Sequence, residues 1–155
     1  MKKIFVLFTL FVFAFLSSCD SKDNDDSQST NFLKATINGT EIVFDTFNIE
    51  KTDYPDDGYS DIQVTATKSG DPSKKIILEM EYLATGTEPC FEFQYVDGDT
   101  YYIISPRDNS SLVVDVTENI ANKLRGTIVG TVAEYEGTGS VVITGGSFDI
   151  VYQIK

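Results

Sequence analysis

The sequence contains no histidine and no tryptophan. The first absence removes Ser-His-Asp and Cys-His nucleophilic sites, histidine general bases and histidine-bearing zinc sites together. The second removes the side chain on which glycan-binding surfaces lean for stacking, leaving 8 Tyr and 11 Phe as the rings of the chain. Basic residues are scarce: 12 Lys and Arg stand against 24 Asp and Glu, a formal charge of −12. A chain this acidic repels nucleic acid and anionic lipid head groups, so neither is expected as a partner. Cysteine occurs twice, as Cys19 and Cys90, too few for a disulfide framework. Nor is there a glycine-rich phosphate loop, because Gly126 and Gly130 fall in a strand pattern and lack the Lys-Ser/Thr ending. Paired carboxylates could still support glycoside hydrolysis, but 24 acids produce many accidental pairs. The expectation is a non-enzyme with no cofactor and no metal; a carboxylate-dependent tethered hydrolase is the alternative.

What the chain does have begins at its N-terminus. In MKKIFVLFTLFVFAFLSS, Lys2 and Lys3 precede a 13-residue apolar run from Ile4 to Leu16, interrupted by Thr9. A membrane-spanning helix needs about 20 such residues. A charged start, a short apolar core and small residues before a cut are instead the pattern of a secretory signal peptide. Leu16-Ser17-Ser18-Cys19 resembles the lipobox of bacterial lipoproteins, Leu-(Ser/Ala)-(Ala/Gly/Ser)-Cys. The resemblance implies that residues 1–18 are removed and that the Cys19 sulfur carries diacylglycerol, which makes a membrane the first partner. Each buried CH₂ contributes about 0.8 kcal/mol, so two or three acyl chains hold a protein essentially permanently.

Asp20 behind the cysteine would, in some Gram-negative sorting systems, retain a lipoprotein at the inner membrane. The run Ser21-Lys22-Asp23-Asn24-Asp25-Asp26, however, resembles the Lys-plus-acidic export tag of Bacteroidota-type lipoproteins. Lys22, Asp23, Asp25 and Asp26 are therefore the expected export signal and the outer membrane the expected address, with exposure on its outward face left open. Asp20 to Thr30 contains no hydrophobic residue and cannot offset its ordering entropy. Residues 19–31 read as a lipidated cysteine followed by a flexible acidic tether.

Removal of residues 1–18 leaves 137 of 155 residues and, with two lysines gone, a charge of −14. That is one domain's worth, expected over residues 32–155. Its apolar pattern has period two, the signature of half-buried strands: Ile62, Val64 and Ala66 alternate with Gln63, Thr65 and Thr67, and Ile76, Leu78 and Met80 with Ile77, Glu79 and Glu81. Asn38-Gly39 and Asp97-Gly98 are two-residue hairpin signals, favoured where both positions need positive φ. About nine strands are predicted, at 32–37, 41–50, 61–68, 74–83, 90–96, 100–105, 111–118, 124–134 and 141–154, the last bent at Gly145-Gly146. Thr117 to Leu124 reads as a helical turn or a hairpin loop. The expected fold is all-β, an antiparallel β-sandwich or an open flattened barrel.

Phe32-x-x-Ala35-x-Ile37-Asn38-Gly39 behind a lipoprotein leash, together with Gly126-Thr127-x-x-Gly130-Thr131 and Val142-x-Thr144-x-Gly146-x-Phe148-Asp149-Ile150, resembles the small β-rich lipoprotein domains of Bacteroidota, most of unknown function. The matching residues are turn glycines and core positions, so the resemblance implies fold and address and transfers no catalytic residue.

Asp53-Tyr54-Pro55-Asp56-Asp57-Gly58-Tyr59-Ser60-Asp61 is the most suggestive stretch. Asp53, Asp56, Asp57 and Asp61 could supply oxygen ligands to Ca²⁺, and Tyr54 and Tyr59 a platform for a sugar or peptide. Calcium wants six to eight oxygens, however, and the spacing does not fit the twelve-residue loop that usually provides them. A solvated hairpin loop is the competing reading. Cys90 lacks an intrachain partner if Cys19 is lipidated, and it is expected as a covered, reduced thiol. Strict alternation puts it with Glu92 and Gln94 on the mixed face, opposite Phe91, Phe93 and Tyr95. The functional expectation is a monomeric, anchored binding or accessory domain for a protein, glycan or small-molecule partner.

Overall fold

The computed structural model describes residues 31–104 and 110–154. The expected signal peptide, Cys19 and the expected export positions Lys22, Asp23, Asp25 and Asp26 lie outside the described residues. Ten strands follow in order: β1 (Phe32–Ile37), β2 (Thr40–Phe44), β3 (Thr46–Tyr54), β4 (Tyr59–Lys68), β5 (Asp71–Glu81), β6 (Cys90–Asp97), β7 (Thr100–Ile103), β8 (Val113–Ile120), β9 (Lys123–Glu134) and β10 (Ser140–Val151). All pairings are antiparallel, and the order β2-β1-β10-β9-β7-β6-β5-β4-β3 curls into a half-barrel, with β8 paired to β9 off this path. No helix occurs among the described residues.

The strand expected at 41–50 is two strands, β2 and β3, divided at Asp45. The Asp45 amide donates to the Thr67 carbonyl at 3.2 Å, and its carboxylate accepts the Ser69 amide at 2.9 Å. β2 pairs with β1 and β3 pairs with β4, so the chain turns at Asp45 from one end of the sheet order to the other. The core-facing parity switches across the corner, from Ile42 and Phe44 to Phe47 and Ile49, and no glycine or proline marks the break. Thr117–Leu124 takes its hairpin form: Ile120 pairs with Lys123 across Ala121-Asn122.

Alternation fills one core. Leu33, Ala35 and Ile37, then Ile62, Val64 and Ala66, then Ile76, Leu78 and Met80 are 0–5% exposed. In β10 the buried parity changes, from Val141 and Ile143 to Phe148 and Ile150, and Tyr152 just beyond the strand keeps the second parity. The register shift between Ile143 and Gly146 absorbs the extra residue, with Gly145 at φ 61°. This is the bend expected there, and it is a β-bulge. Phe148 lies over its cross-strand partner Gly126, where a Cβ would sit 2.4 Å from the ring. Glycine is required at 126 to let the aromatic ring close on the backbone.

Asn38-Gly39 turns as expected, both residues at positive φ (48° and 82°). The second signal is displaced by one residue. Asp97 pairs with Thr100, so the loop is Gly98-Asp99, with Gly98 at φ 64°. Glycine at the first loop position, followed by a residue with negative φ, is the type II′ arrangement. The shift places Asp99 at the tip and Tyr101 and Ile103 on the outer face.

Candidate functional site

The acidic Tyr-rich stretch forms the β3–β4 hairpin. Tyr54 and Tyr59 are cross-strand partners, and their rings stack at 4.8 Å with 23° between planes. The loop closes on one acceptor: the Asp57 and Gly58 amides donate to the Tyr54 carbonyl at 3.1 and 2.9 Å, with Gly58 at φ 76°. Asp53 is engaged by Lys51, and it accepts the Ser60 hydroxyl at 2.6 Å. These bonds hold its carboxyl below its ordinary pKa. Asp61 lies opposite Glu81 on the far side of β4, 7% exposed, where burial and then the Glu81 charge push its carboxyl up. Asp56 and Asp57 remain exposed at the tip. The hairpin therefore disperses its acids, and no group of three or more potential metal ligands converges among the described residues.

A site without a signal in the composition arises on β6. Met80 pairs with Cys90 while Glu79 pairs with Glu92, so Phe91 is the extra residue of a bulge. The bulge reverses the expected facing. Cys90 packs toward the core opposite Met80, and Phe91 is thrown outward, 56% exposed, although Phe93 two residues on is 1% exposed. The Cys90 thiol donates to the Glu92 carbonyl at 3.3 Å, and burial pushes its pKa up to about 12. A thiol held neutral in this way is a poor nucleophile.

Phe91 joins Tyr101, Ile103 and Tyr135 in an outward-facing groove of about 650 Å³. Tyr101 and Tyr135 are 47% and 58% exposed. The Tyr135 amide donates to the Tyr101 carbonyl at 2.8 Å, which fixes the end of β9 against β7. Glu92, Asp99 and Glu136 also line the groove, with Gln94, whose amide nitrogen donates to Glu92. Among the described residues, no base lines it, and no side-chain hydrogen bond or ring contact engages Asp99, Glu136, Tyr101 or Tyr135. The acidic character continues across the same face, where Glu92 pairs with Glu79 and Asp61 with Glu81; Lys75, beside Val96, is a base on that face.

A second cavity, of about 580 Å³, opens between edge strand β3 and the chain after β10, lined by Phe47, Ile49, Lys51, Tyr152 and Ile154. Its lysine is already engaged: Lys51 is paired with Asp53 and sits 5.0 Å from the Tyr82 ring centroid. Comparison with known proteins adds no template, since no family model, curated protein or solved structure matches the chain.

Proposed function

We propose that this chain is a cell-envelope lipoprotein, anchored at the outer membrane through Cys19, whose β domain is a non-catalytic binding module. The observation that carries the binding reading is the β6–β7 groove, where three aromatic side chains are held half in water although the core beneath is filled. Exposed apolar clusters of this kind mark ligand or partner sites, and about 650 Å³ falls in the range of small-ligand and peptide clefts. The carboxylate neighbours Asp61 and Glu81 are cross-strand partners side by side on one face of the sheet. A hydrolase would hold two such groups on opposite sides of a bond, so their placement favours binding over hydrolysis.

The anchor is supported by the lipobox-like Leu16-Ser17-Ser18-Cys19 and the acidic run behind it. Mass spectrometry of the native protein is expected to show loss of residues 1–18 and a diacylglyceryl adduct on Cys19. A Cys19→Ser protein that still partitions with membranes overturns the anchor. For the binding module, a panel of short peptides and oligosaccharides followed by NMR is expected to move the resonances of Phe91, Tyr101 and Tyr135 together. Binding that maps elsewhere, or release of hydrolysed sugar, overturns this reading.

A further inference from the structure

We infer that the β6–β7 groove takes a lysine- or arginine-bearing extended segment of a partner protein, a conclusion that rests on the groove being the binding site. Its polar lining is nearly all acceptor. Among the described residues, Glu92, Asp99 and Glu136 contribute carboxylates, and the one side-chain amide nitrogen, that of Gln94, gives one of its two N–H groups to Glu92. Ammonium and guanidinium groups are the ligands that match such a lining, because they donate and never accept. A neutral sugar needs donors as well as acceptors from its site, and among the described side chains the two tyrosine hydroxyls and the second Gln94 N–H are the remaining donors.

The aromatic component points the same way. Tyrosine and phenylalanine faces attract cations within about 6 Å of the ring centroid, and carboxylates at the rim add to that field. The acids Glu79 and Glu81 extend the negative surface across β5, so a basic chain longer than one residue finds charge beyond the groove. Lys75 bounds the patch on the side of Val96. The shape selects a segment over a small cation. Small-molecule sites enclose roughly 70–90% of their ligand, whereas Phe91, Tyr101 and Tyr135 remain about half exposed, forming a trough.

The test uses the full chain and three probes in calorimetry: a Gly-Arg repeat dodecapeptide, its Gly-Glu counterpart and maltohexaose. The Gly-Arg peptide is expected to bind, more weakly at high salt, and the other two are not. Because a chain of this charge attracts any polycation, the deciding variants separate site from net charge. Tyr101→Ser with Tyr135→Ser leaves the charge alone and is expected to weaken binding about tenfold, the loss of two cation–π contacts. Asp99→Asn with Glu136→Gln is expected to weaken it several-fold more than Asp56→Asn with Asp57→Asn, which makes the same charge change on the other hairpin. All these positions are exposed, and unchanged thermal unfolding verifies the fold. No binding of the Gly-Arg peptide, equal losses from the two charge variants, or an unaffected tyrosine variant overturns the inference. Maltohexaose bound at Tyr101 and Tyr135 would overturn the cationic ligand while leaving the groove as the binding site.

Discussion

In the β3–β4 hairpin, Tyr54 and Tyr59 stack on each other, Asp53 is held by Lys51 and Ser60, and Asp61 is buried beside Glu81. At the β6–β7 edge, Phe91, Tyr101 and Tyr135 have no ring contact among the described residues, and Asp99 and Glu136 have no side-chain partner there. The two regions use nearly the same residue types. In the first, Tyr54 pairs with Tyr59 and Asp53 with Lys51 and Ser60 because residues 51–60 fold back as one hairpin, while Asp61 faces a like charge. In the second, they come from β6, the β6–β7 turn, β7 and the end of β9, and no described side chain answers them. Crowding of polar and aromatic residues along a sequence thus favours mutual satisfaction, whereas unanswered groups collect where separate strands end together.

The sharpest way to break this comparison is to exchange the roles of two phenylalanines on one strand. Phe93 is 1% exposed in the core and Phe91 is 56% exposed in the groove. Phe93→Ala should cost about 3–5 kcal/mol, the usual loss for a buried ring. Phe91→Ala should stay near the surface range of about 0.5 kcal/mol. Urea unfolding of both variants checks this. Similar costs would mean that Phe91 is structural and that the groove is a by-product of packing.

Much of the β architecture is legible from alternation, and the exceptions have one cause. Periodicity assigns a face to each residue only while strands stay in register. The bend at Gly145-Gly146 announces itself through two glycines. The bulge at Phe91 has no such mark, because Cys90, Phe91 and Phe93 are all plausible core residues. One unmarked residue therefore moved Cys90 inward, turned Phe91 outward and opened the groove. The corner at Asp45 carries no such mark either, although the core-facing parity switches across it from Phe44 to Phe47. The acidic hairpin stood out from its composition, but its pairings depend on cross-strand register, which fixes Tyr54 against Tyr59 and Asp61 against Glu81.

Cys90 sharpens the same contrast from the inside of the bulge. Its thiol is turned toward the core, and a folded pKa raised to about 12 keeps it neutral. Alkylation at pH 8 should be slow in the native protein and fast once it is unfolded. The linkage sign follows from the raised pKa: the thiol's contribution is complete below the unfolded value near 8.5 and is lost as pH rises toward 12. Cys90→Ser should cost about 1–2 kcal/mol at neutral pH, the range of a substitution that adds one polar burden. Rapid native alkylation, or a disulfide-linked dimer from fresh cells, would place Cys90 on the surface and return the strand to strict alternation.

The smallest effect belongs to Asp61, which tests whether the β3–β4 hairpin is as self-satisfied as its stacking suggests. Asp61 and Glu81 are directly opposed like charges, an arrangement that costs about 0.2–1 kcal/mol in antiparallel sheets. Burial, then the Glu81 charge, raises the Asp61 pKa. A carboxyl whose folded pKa is raised stabilises the fold while protonated, and that contribution is lost as pH rises through the folded value. Asp61→Asn keeps the shape without the charge, so it should stabilise the protein by about 0.2–1 kcal/mol at pH 7. At pH 3, where Asp61 is protonated, the gain should disappear. Urea unfolding at the two pH values separates the outcomes. A loss at pH 7 would mean that the Asp61 carboxylate itself is needed, and would move the acidic hairpin from scaffold to candidate binding site beside the groove.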